Sequence, residues 1–264
     1  MPNSALSAAA TGMMAQNQNV AIIANDIANM NTTGFKANTA VFATHMVIDT
    51  GGVGSNSSSN GTIVPTGIQT GLGTKLVGIS KDNSQGEPLE TKNPTDIMIS
   101  GKGFFQITLP DGEIGYTRDG KFQLSPNGEL VTIQGFPLTP NIIIPPQATD
   151  IAINAEGQVM ARISGQTAPQ SLGTIELASF LNPSGLRATE NNLHLQTTAS
   201  GTPTVGNPGL TGMGTLLQGF IERSNVTPVV SLVNLTEAQR AYELNAKVIK
   251  TADQMMAEIR NITG

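Results

Sequence analysis

Residues 228–262 read PVVSLVNLTEAQRAYELNAKVIKTADQMMAEIRNI. Apolar side chains recur here every seven residues, with others three positions further on: Leu235, Tyr242, Ile249 and Met256, joined by Ala238, Ala252 and Ile259. This spacing predicts a single helix with a narrow apolar stripe, with Thr227 as its N-cap and Pro228 as its first residue. At 1.5 Å per residue the helix would span about 50 Å. A stripe of that length predicts a packing partner.

The start of the chain repeats the seven-residue pattern. Its members are Leu6, Met13, Val20 and Ile27, with Ala9, Ile23 and Met30 three positions after three of them. We expect a helix of about 25 residues with one narrow apolar stripe. Asn31, Thr32, Thr33 and Gly34 mark its end, since glycine can adopt the left-handed conformation that terminates helices.

The middle of the chain has a different sequence pattern. Short β-type runs alternate with turn residues, and the predicted strands are 103–109, 113–117, 121–124, 129–133, 150–154, 158–163 and 174–180. Asp-Gly or Asn-Gly pairs follow several of these runs and favour tight hairpins. The sequence therefore predicts an antiparallel sandwich or partly closed barrel between two helices, an α+β fold with a coiled-coil-like helix pair.

Composition shifts along the chain predict its domain division. Residues 1–40 together with 218–264 form the expected helical domain, and 76–200 the β-rich domain. Residues 41–75 are expected to form an extended arm, because 51–73 is rich in Gly, Ser and Asn and offers little to bury. The Gly/Pro-rich segment 201–217 is the expected return linker.

The overall composition excludes several classes of protein. The chain has 264 residues, a formal net charge of −5, only 12% charged residues, no Cys and two His. It therefore lacks disulfides, a thiol nucleophile and a Cys-based zinc site, and a multi-histidine metal centre is not expected. The acidic balance gives no basic surface for nucleic acid. No secretory signal and no apolar run long enough to span a membrane is present in the sequence.

Motif searches point away from catalysis and cofactors. The stretch 67–75 resembles a phosphate loop but has no Gly-Lys-Ser/Thr, and the glycines of 209–214 run in the wrong order for a dinucleotide site. A carboxylate pair for glycan hydrolysis could come from Glu87, Glu90, Asp96, Asp111, Glu113 and Asp119. Most of these lie at predicted turns, where Asp is favoured for local hydrogen bonds. His194, between two leucines, is expected on the solvent side of a strand.

Two apolar stripes at opposite ends of the chain predict self-assembly. Each is too narrow for a globular core, but both could be buried against each other and against neighbouring copies. Repeated head-to-tail packing that does not close gives a helical polymer. The asparagines at positions 25, 29 and 31 have two interpretations, since they form either a polar helix face and cap or a register-fixing seam.

Four motifs resemble bacterial flagellar rod and hook proteins. They are ANDIANMNTTGFK at 24–36, IMISGKGFF at 97–105 with YTRDG at 116–120 and GELVT at 128–132, SNV at 224–226 and AQRAYE at 238–243. The residues that carry the resemblance are Asn25, Asn29, Asn31, Gly34, Phe35, Gly101, Gly103, Phe104, Phe105, Arg118, Asp119, Gly120, Gln239, Arg240 and Glu243. Chain length and the glycine pattern of 185–219 are closest to the distal-rod branch of this family. The arm, rich in Gly, Ser and Asn, departs from the family pattern, as does the start of the last helix.

The resemblance implies a structural, non-enzymatic subunit of the flagellar basal body. Such a chain would be exported unfolded by the flagellar type III apparatus without a cleaved signal peptide, and would polymerise into the distal rod that crosses the periplasm and passes torque to the hook. Its implied partners are copies of itself, proximal rod and hook subunits, the surrounding ring proteins and the export apparatus, with no nucleic acid and no membrane insertion. The alternatives are a proximal rod subunit of the same family and, from another class, a secreted β-rich glycan hydrolase.

Overall fold

The computed structural model describes residues 2–51, 67–164, 168–210 and 212–263. The chain divides into two compact units. The helical unit comprises Met1–Ile27, Asn38–Ser80 and Thr227–Gly264, and the β-rich unit comprises Ala28–Ala37 and Lys81–Val226. Terminal helices with a β-rich middle confirm the α+β class.

Two long helices dominate the helical unit. Helix α1 is Pro2–Ala28 and helix α2 is Pro228–Thr263. As predicted, α2 begins at Pro228, and the Ser231 N–H donates to the carbonyl of Thr227 at 3.0 Å. Neither helix, nor any other helical segment among the described residues, is long and apolar enough to cross a membrane.

The two helices pack through small side chains. The buried apolar residues of this unit are Ala9, Ala15 and Ile23 on α1 and Ala238 and Ala252 on α2. A Cβ added at Gly12 of α1 would lie 2.9 Å from Nδ2 of Asn245 on α2, so the absence of a side chain there allows the close approach.

A β-ribbon completes the helical unit. Strand β1 (Asn38–Thr44) pairs with β4 (Thr74–Lys81), and β2 (Val47–Gly51) pairs antiparallel with β3 (Ile68–Gly71). The carboxylate of Asp26 on α1 accepts hydrogen bonds from the backbone N–H and the side-chain amide of Asn38, at 2.9 and 2.8 Å. Much of the predicted arm is thus paired strand, while its residues 52–66 lie outside the described residues.

The described residues of the β-rich unit form sixteen strands. They are β5 (Pro88–Glu90), β6 (Ile97–Ser100), β7 (Phe104–Thr108), β8 (Ile114–Thr117), β9 (Gln123–Leu124), β10 (Leu130–Val131), β11 (Leu138–Thr139), β12 (Ala148–Ile153), β13 (Gln158–Ile163), β14 (Gln170–Thr174), β15 (Leu177–Ser179), β16 (Arg187–Ala188), β17 (His194–Leu195), β18 (Thr204–Gly206), β19 (Thr215–Gln218) and β20 (Phe220–Glu222). Short 3-10 helices at Pro183–Gly185 and Glu190–Asn192 lie between β15 and β17.

Antiparallel pairing organises these strands into several sheets. The largest has the order β16-β17-β8-β7-β15-β18, with β11 also pairing with β7. A three-stranded sheet has the order β12-β13-β14, and the pairs β9/β10, β6/β19 and β5/β20 stand separately. The last two pairs join strands from the beginning and the end of the unit.

One apolar cluster forms the main core of this unit. Its fully buried members include Ile97, Phe105 and Phe122, and the two phenylalanine rings meet edge to face with centroids 5.1 Å apart. A second, smaller cluster contains Phe104, Tyr116 and Phe180, which also make edge-to-face contacts. Such burial is the main stabilising contribution to a fold of this kind.

Three local predictions differ from the structure. The run 174–180, predicted as one strand, ends β14 at Thr174 and starts β15 at Leu177, because the first part pairs with β13 and the second with β7. Gly120, predicted as a hairpin glycine, instead allows a close backbone approach, since a Cβ there would lie 1.6 Å from the carbonyl oxygen of Ile97. Strand β18 and most of β19 lie within the predicted linker, where Met213 and Leu216 are buried in the core.

Candidate functional site: a buried ionic cluster and the faces of the terminal helices

A buried ionic cluster lies in the β-rich unit. The carboxylate of Glu222, at the end of β20, accepts hydrogen bonds from Lys36 Nζ at Oε1 and from Arg118 Nη1 at Oε2, the latter at 3.4 Å. Exposed side-chain fractions are 6% for Lys36, 9% for Arg118 and 1% for Glu222. Three segments far apart in the chain therefore meet at one carboxylate.

Backbone groups supply further hydrogen bonds to these charges, although the buried Nε of Arg118 has no hydrogen-bond partner among the described residues. The N–H of Gly86 donates to Glu222 Oε1 at 2.9 Å, and Lys36 Nζ donates to the carbonyl of Ser84 at 2.6 Å. Arg118 Nη2 donates to the carbonyl of Gly101 at 2.6 Å. Buried charges are tolerated in proteins when they are paired and hydrogen bonded in this way.

Burial changes the proton affinity of both cations. It lowers the pKa of Lys36 below its usual value, while the adjacent Glu222 carboxylate acts in the opposite direction. Burial likewise lowers the pKa of Arg118, again opposed by Glu222. The guanidinium carbon of Arg118 lies 5.5 Å from the ring centroid of Phe104, which adds a cation–π contact.

A second set of contacts fixes the segment that carries Lys36. Thr33 Oγ1 donates to Asp119 Oδ1 at 2.7 Å, and Asn192 Nδ2 donates to the Thr33 carbonyl at 2.7 Å. Burial raises the pKa of Asp119, while its hydrogen bond from Thr33 acts in the opposite direction. Asp119 thus positions the N-terminal motif, a role that differs from the hydrolytic one weighed from the sequence.

Gly34, in the same segment, lies against the backbone of Arg118. Its N–H donates to the backbone carbonyl of Glu222 at 2.8 Å, and its φ is +67°. A Cβ at this position would lie 2.7 Å from the carbonyl carbon of Arg118. Both the left-handed conformation and the lack of space therefore require glycine.

The structure brings together many of the motif residues noted in the sequence. Those in or beside the cluster are Gly34, Gly101, Phe104, Arg118 and Asp119, whereas Phe105 and Gly120 pack in the adjoining core. Gly103 has a φ of +137° and faces Leu177. Phe35 follows in the same segment, its N–H donating to the Thr32 carbonyl.

The asparagines near the end of α1 have separate positions. Both the carbonyl and the side-chain oxygen of Asn29 accept hydrogen bonds from Thr32, at 3.0 and 3.1 Å. This arrangement favours the helix-terminating interpretation at Asn29. Asn25 and Asn31 have exposed side chains.

The helix residues predicted to pack between subunits differ in burial within one chain. Ile23, Ala238 and Ala252 are buried, and a half-buried group comprises Leu6, Met13, Val20, Ile27, Met30, Leu235, Ile249 and Met256. Tyr242 and Ile259 are exposed, as are the motif residues Gln239, Arg240 and Glu243. Their contacts with other subunits remain a prediction.

A second apolar set on α2 is also exposed. It comprises Val229, Val230, Leu232, Val233, Leu244, Val248, Met255 and Ile262, with exposed fractions from 44% at Val248 to 83% at Ile262. Monomeric soluble proteins rarely leave contiguous apolar surface of this kind uncovered. This face can therefore serve as a contact surface.

Sequence reasoning missed the central residue of the cluster, Glu222. The only signal was a lone acid directly after the apolar residues Phe220 and Ile221. Asn225 belongs to the SNV motif at 224–226, and its side chain accepts from the N–H of Ala37 and donates to the carbonyl of Asp82, at 2.8 and 2.9 Å. His194, expected on the solvent side of a strand, is half-buried, and its ring lies beside that of Phe104.

Among the described residues, no group of three or more His, Cys, Asp or Glu side chains could hold a metal ion. The ionic cluster itself is filled by its own side chains and backbone groups. Its geometry is suited to holding chain segments together.

Comparisons with known proteins agree with this architecture. Residues 6–36 match the family model described as flagella basal body rod protein, 98–161 the flagellar hook protein FlgE/F/G D1 domain, and 217–262 the flagellar basal body rod FlgEFG protein C-terminal. Two of these matches contain the segments that supply Lys36 and Glu222, and the third contains Arg118.

Full-length relatives extend the match. The flagellar basal-body rod protein FlgG of Caulobacter vibrioides is 49% identical over 96% of each chain, and that of Borreliella burgdorferi is 43% identical over 98% of each. The rod protein FlgF of Caulobacter vibrioides is 31% identical over 89% of this chain and 87% of its own. The chain belongs to the flagellar hook and basal-body rod protein family. It is a structural rod subunit of the flagellar basal body and not an enzyme.

Proposed function

We propose that this chain polymerises helically into the distal rod of the flagellum, which crosses the periplasm and transmits torque to the hook. The observation that carries the proposal is the set of exposed apolar side chains on the 36-residue helix α2, from Val229 to Ile262. Burying such side chains contributes about 1.5–3 kcal/mol each. Packing against neighbouring copies would bury them and complete a coiled-coil-like inner tube.

The relatives favour the distal over the proximal rod. Within Caulobacter vibrioides, the FlgG protein is 49% identical to this chain and the FlgF protein 31%. Labelling the chain in isolated basal bodies would test this assignment. Label next to the hook is expected, and label confined to the end nearest the inner membrane would favour a proximal subunit.

The further partners and the route of assembly belong to the same proposal. Proximal rod subunits, hook subunits and the ring proteins around the rod would contact the chain, and the flagellar type III apparatus would export it without cleavage of a signal peptide. No nucleic acid and no membrane insertion enters this function.

Charges placed on the exposed apolar face test the proposal. The variant V233E/L244E should leave the purified chain folded, because both side chains are exposed, at 50% and 62%. It should reduce rod assembly more than a hundredfold, since two apolar contacts contribute about 3–6 kcal/mol per interface. Helix content by circular dichroism and rods counted by electron microscopy are the measurements.

The matched control is Q254E/N261E, which puts the same two charges at exposed polar positions of the same helix. Neither Gln254 nor Asn261 is three or four residues from a member of the exposed apolar set, so the control leaves that face apolar. Rod assembly at the control level by V233E/L244E would contradict the proposal.

A further inference from the structure

The ionic cluster joins the first and last segments of the β-rich unit. Segment 28–37 contributes Lys36 and Gly34, and β20 contributes Glu222, whose side chain and backbone carbonyl bind these two residues respectively. The two segments are 186 residues apart in sequence at this contact. All of these groups belong to one compact unit.

The charges make the two segments dependent on each other. If β20 left alone, Lys36 and Arg118 would remain buried without their shared carboxylate. If segment 28–37 left alone, Glu222 would lose Lys36 and would keep only the 3.4 Å contact with Arg118 and the Gly86 N–H. Breaking one side of a buried ion pair is strongly unfavourable because it leaves an uncompensated charge.

The main core does not share this dependence. The apolar cluster around Phe105 includes Met213 and Leu216 but no residue of 28–37 or 220–226. The boundary between core and cluster falls at Gly219, whose φ is +78° and which separates β19 from β20. Strand β20 packs beside β6 and its Ile221 is buried, but β20 supplies no side chain to the core cluster, so its release would leave Leu216 in place.

We propose that the cluster acts as a two-ended latch, in which segment 28–37 and β20 dock or release together while the core of the β-rich unit stays folded. The latch is open when either end of the unit is missing. The β-rich unit thus reaches its final form only when the chain on both sides of it is in place. This inference does not depend on the proposed place of the chain in the rod.

Amide hydrogen exchange of the full chain tests the latch. In E222Q, protection of the Gly34 and Gly86 amides and of the β20 amides should fall together by at least tenfold, with β7 and β13 unchanged. In K36M, protection of β20 should fall as well, although Lys36 lies on the other segment. The control E90Q removes an exposed carboxylate from β5, the strand paired with β20, and should change none of these.

Two results would overturn the latch. One is normal protection of β20 in K36M, which would show that the ends release independently. The other is a uniform loss of protection through β7 and β13 in E222Q, which would show an ordinary contribution to global stability. If E222Q does not fold, E222D keeps the charge with a shorter side chain and should give a smaller loss with the same distribution.

Discussion

The two compact units bury different kinds of side chain. In the β-rich unit the fully buried residues include Phe105, Phe122 and Ile97, whereas the buried apolar residues described in the helical unit are four alanines and Ile23. Large apolar residues of the helical unit, such as Leu244, are exposed. The β-rich unit thus completes its core from its own chain. The helical unit keeps its larger apolar side chains available for other surfaces.

The largest expected difference between the units concerns single apolar truncations. F105A should lower the free energy of unfolding of the purified chain by about 3–5 kcal/mol, because it opens a cavity in a fully buried core. L244A should change it by less than about 0.5 kcal/mol, because Leu244 is exposed. Urea unfolding followed by circular dichroism measures both, and similar losses in the two variants would contradict the comparison.

An intermediate effect is expected where segment 28–37 packs against the rest of the β-rich unit. G34A should lower the free energy of unfolding by more than 2 kcal/mol or so, since it adds a clash with the Arg118 backbone to the roughly 1–2 kcal/mol cost of the left-handed conformation. G112A is the matched control, with a φ of +80° and nothing within 4 Å of its added Cβ. Thermal unfolding of both variants separates the cost of the left-handed conformation from the cost of the clash. Equal losses of unfolding free energy in G34A and G112A would show that the clash is relieved.

The smallest effect is a pH dependence of the β-rich unit. Burial, together with Lys81 Nζ at 3.3 Å from Nε2, lowers the pKa of His194 from its ordinary value of 6.5. The unfolded chain then binds the proton more readily, so stability should be complete above pH 6.5 and fall as the pH drops below it. The buried Asp119, whose pKa is raised, acts in the opposite sense at more acidic pH.

Unfolding free energies measured between pH 7.5 and 5.5 would show this slope. H194Q should remove it, and H45Q, at an exposed position, should retain it. The same slope in H194Q and the unchanged chain would assign the dependence to another group.

Periodic and turn signals in the sequence predicted the backbone elements well. The seven-residue repeats located both helices, the Thr227-Pro228 pair located the start of α2, and β13 has the predicted bounds 158–163. These signals are local, because helix faces and turn conformations depend on neighbours within a few residues.

Long-range contacts were not predictable in this way. Glu222 and Lys36 carry no local pattern that distinguishes a buried ion pair from two surface charges, and Gly120 has the same neighbours as a hairpin glycine. The Gly/Pro-rich composition of 201–217 predicted a linker, but Met213 and Leu216 of this segment are buried in the core. Which residues become buried depends on which distant strands pair, and local residue spacing does not determine the order of strands in a sheet.

The pairing of β2 with β3 holds Gly51 opposite Ile68. The two ends of segment 52–66 are therefore side by side whatever lies between them. The entropic cost of closing a loop rises only slowly with its length, by about 0.6 kcal/mol per doubling. A change in the number of residues between Gly51 and Ile68 can therefore leave the register of β2 and β3 unchanged.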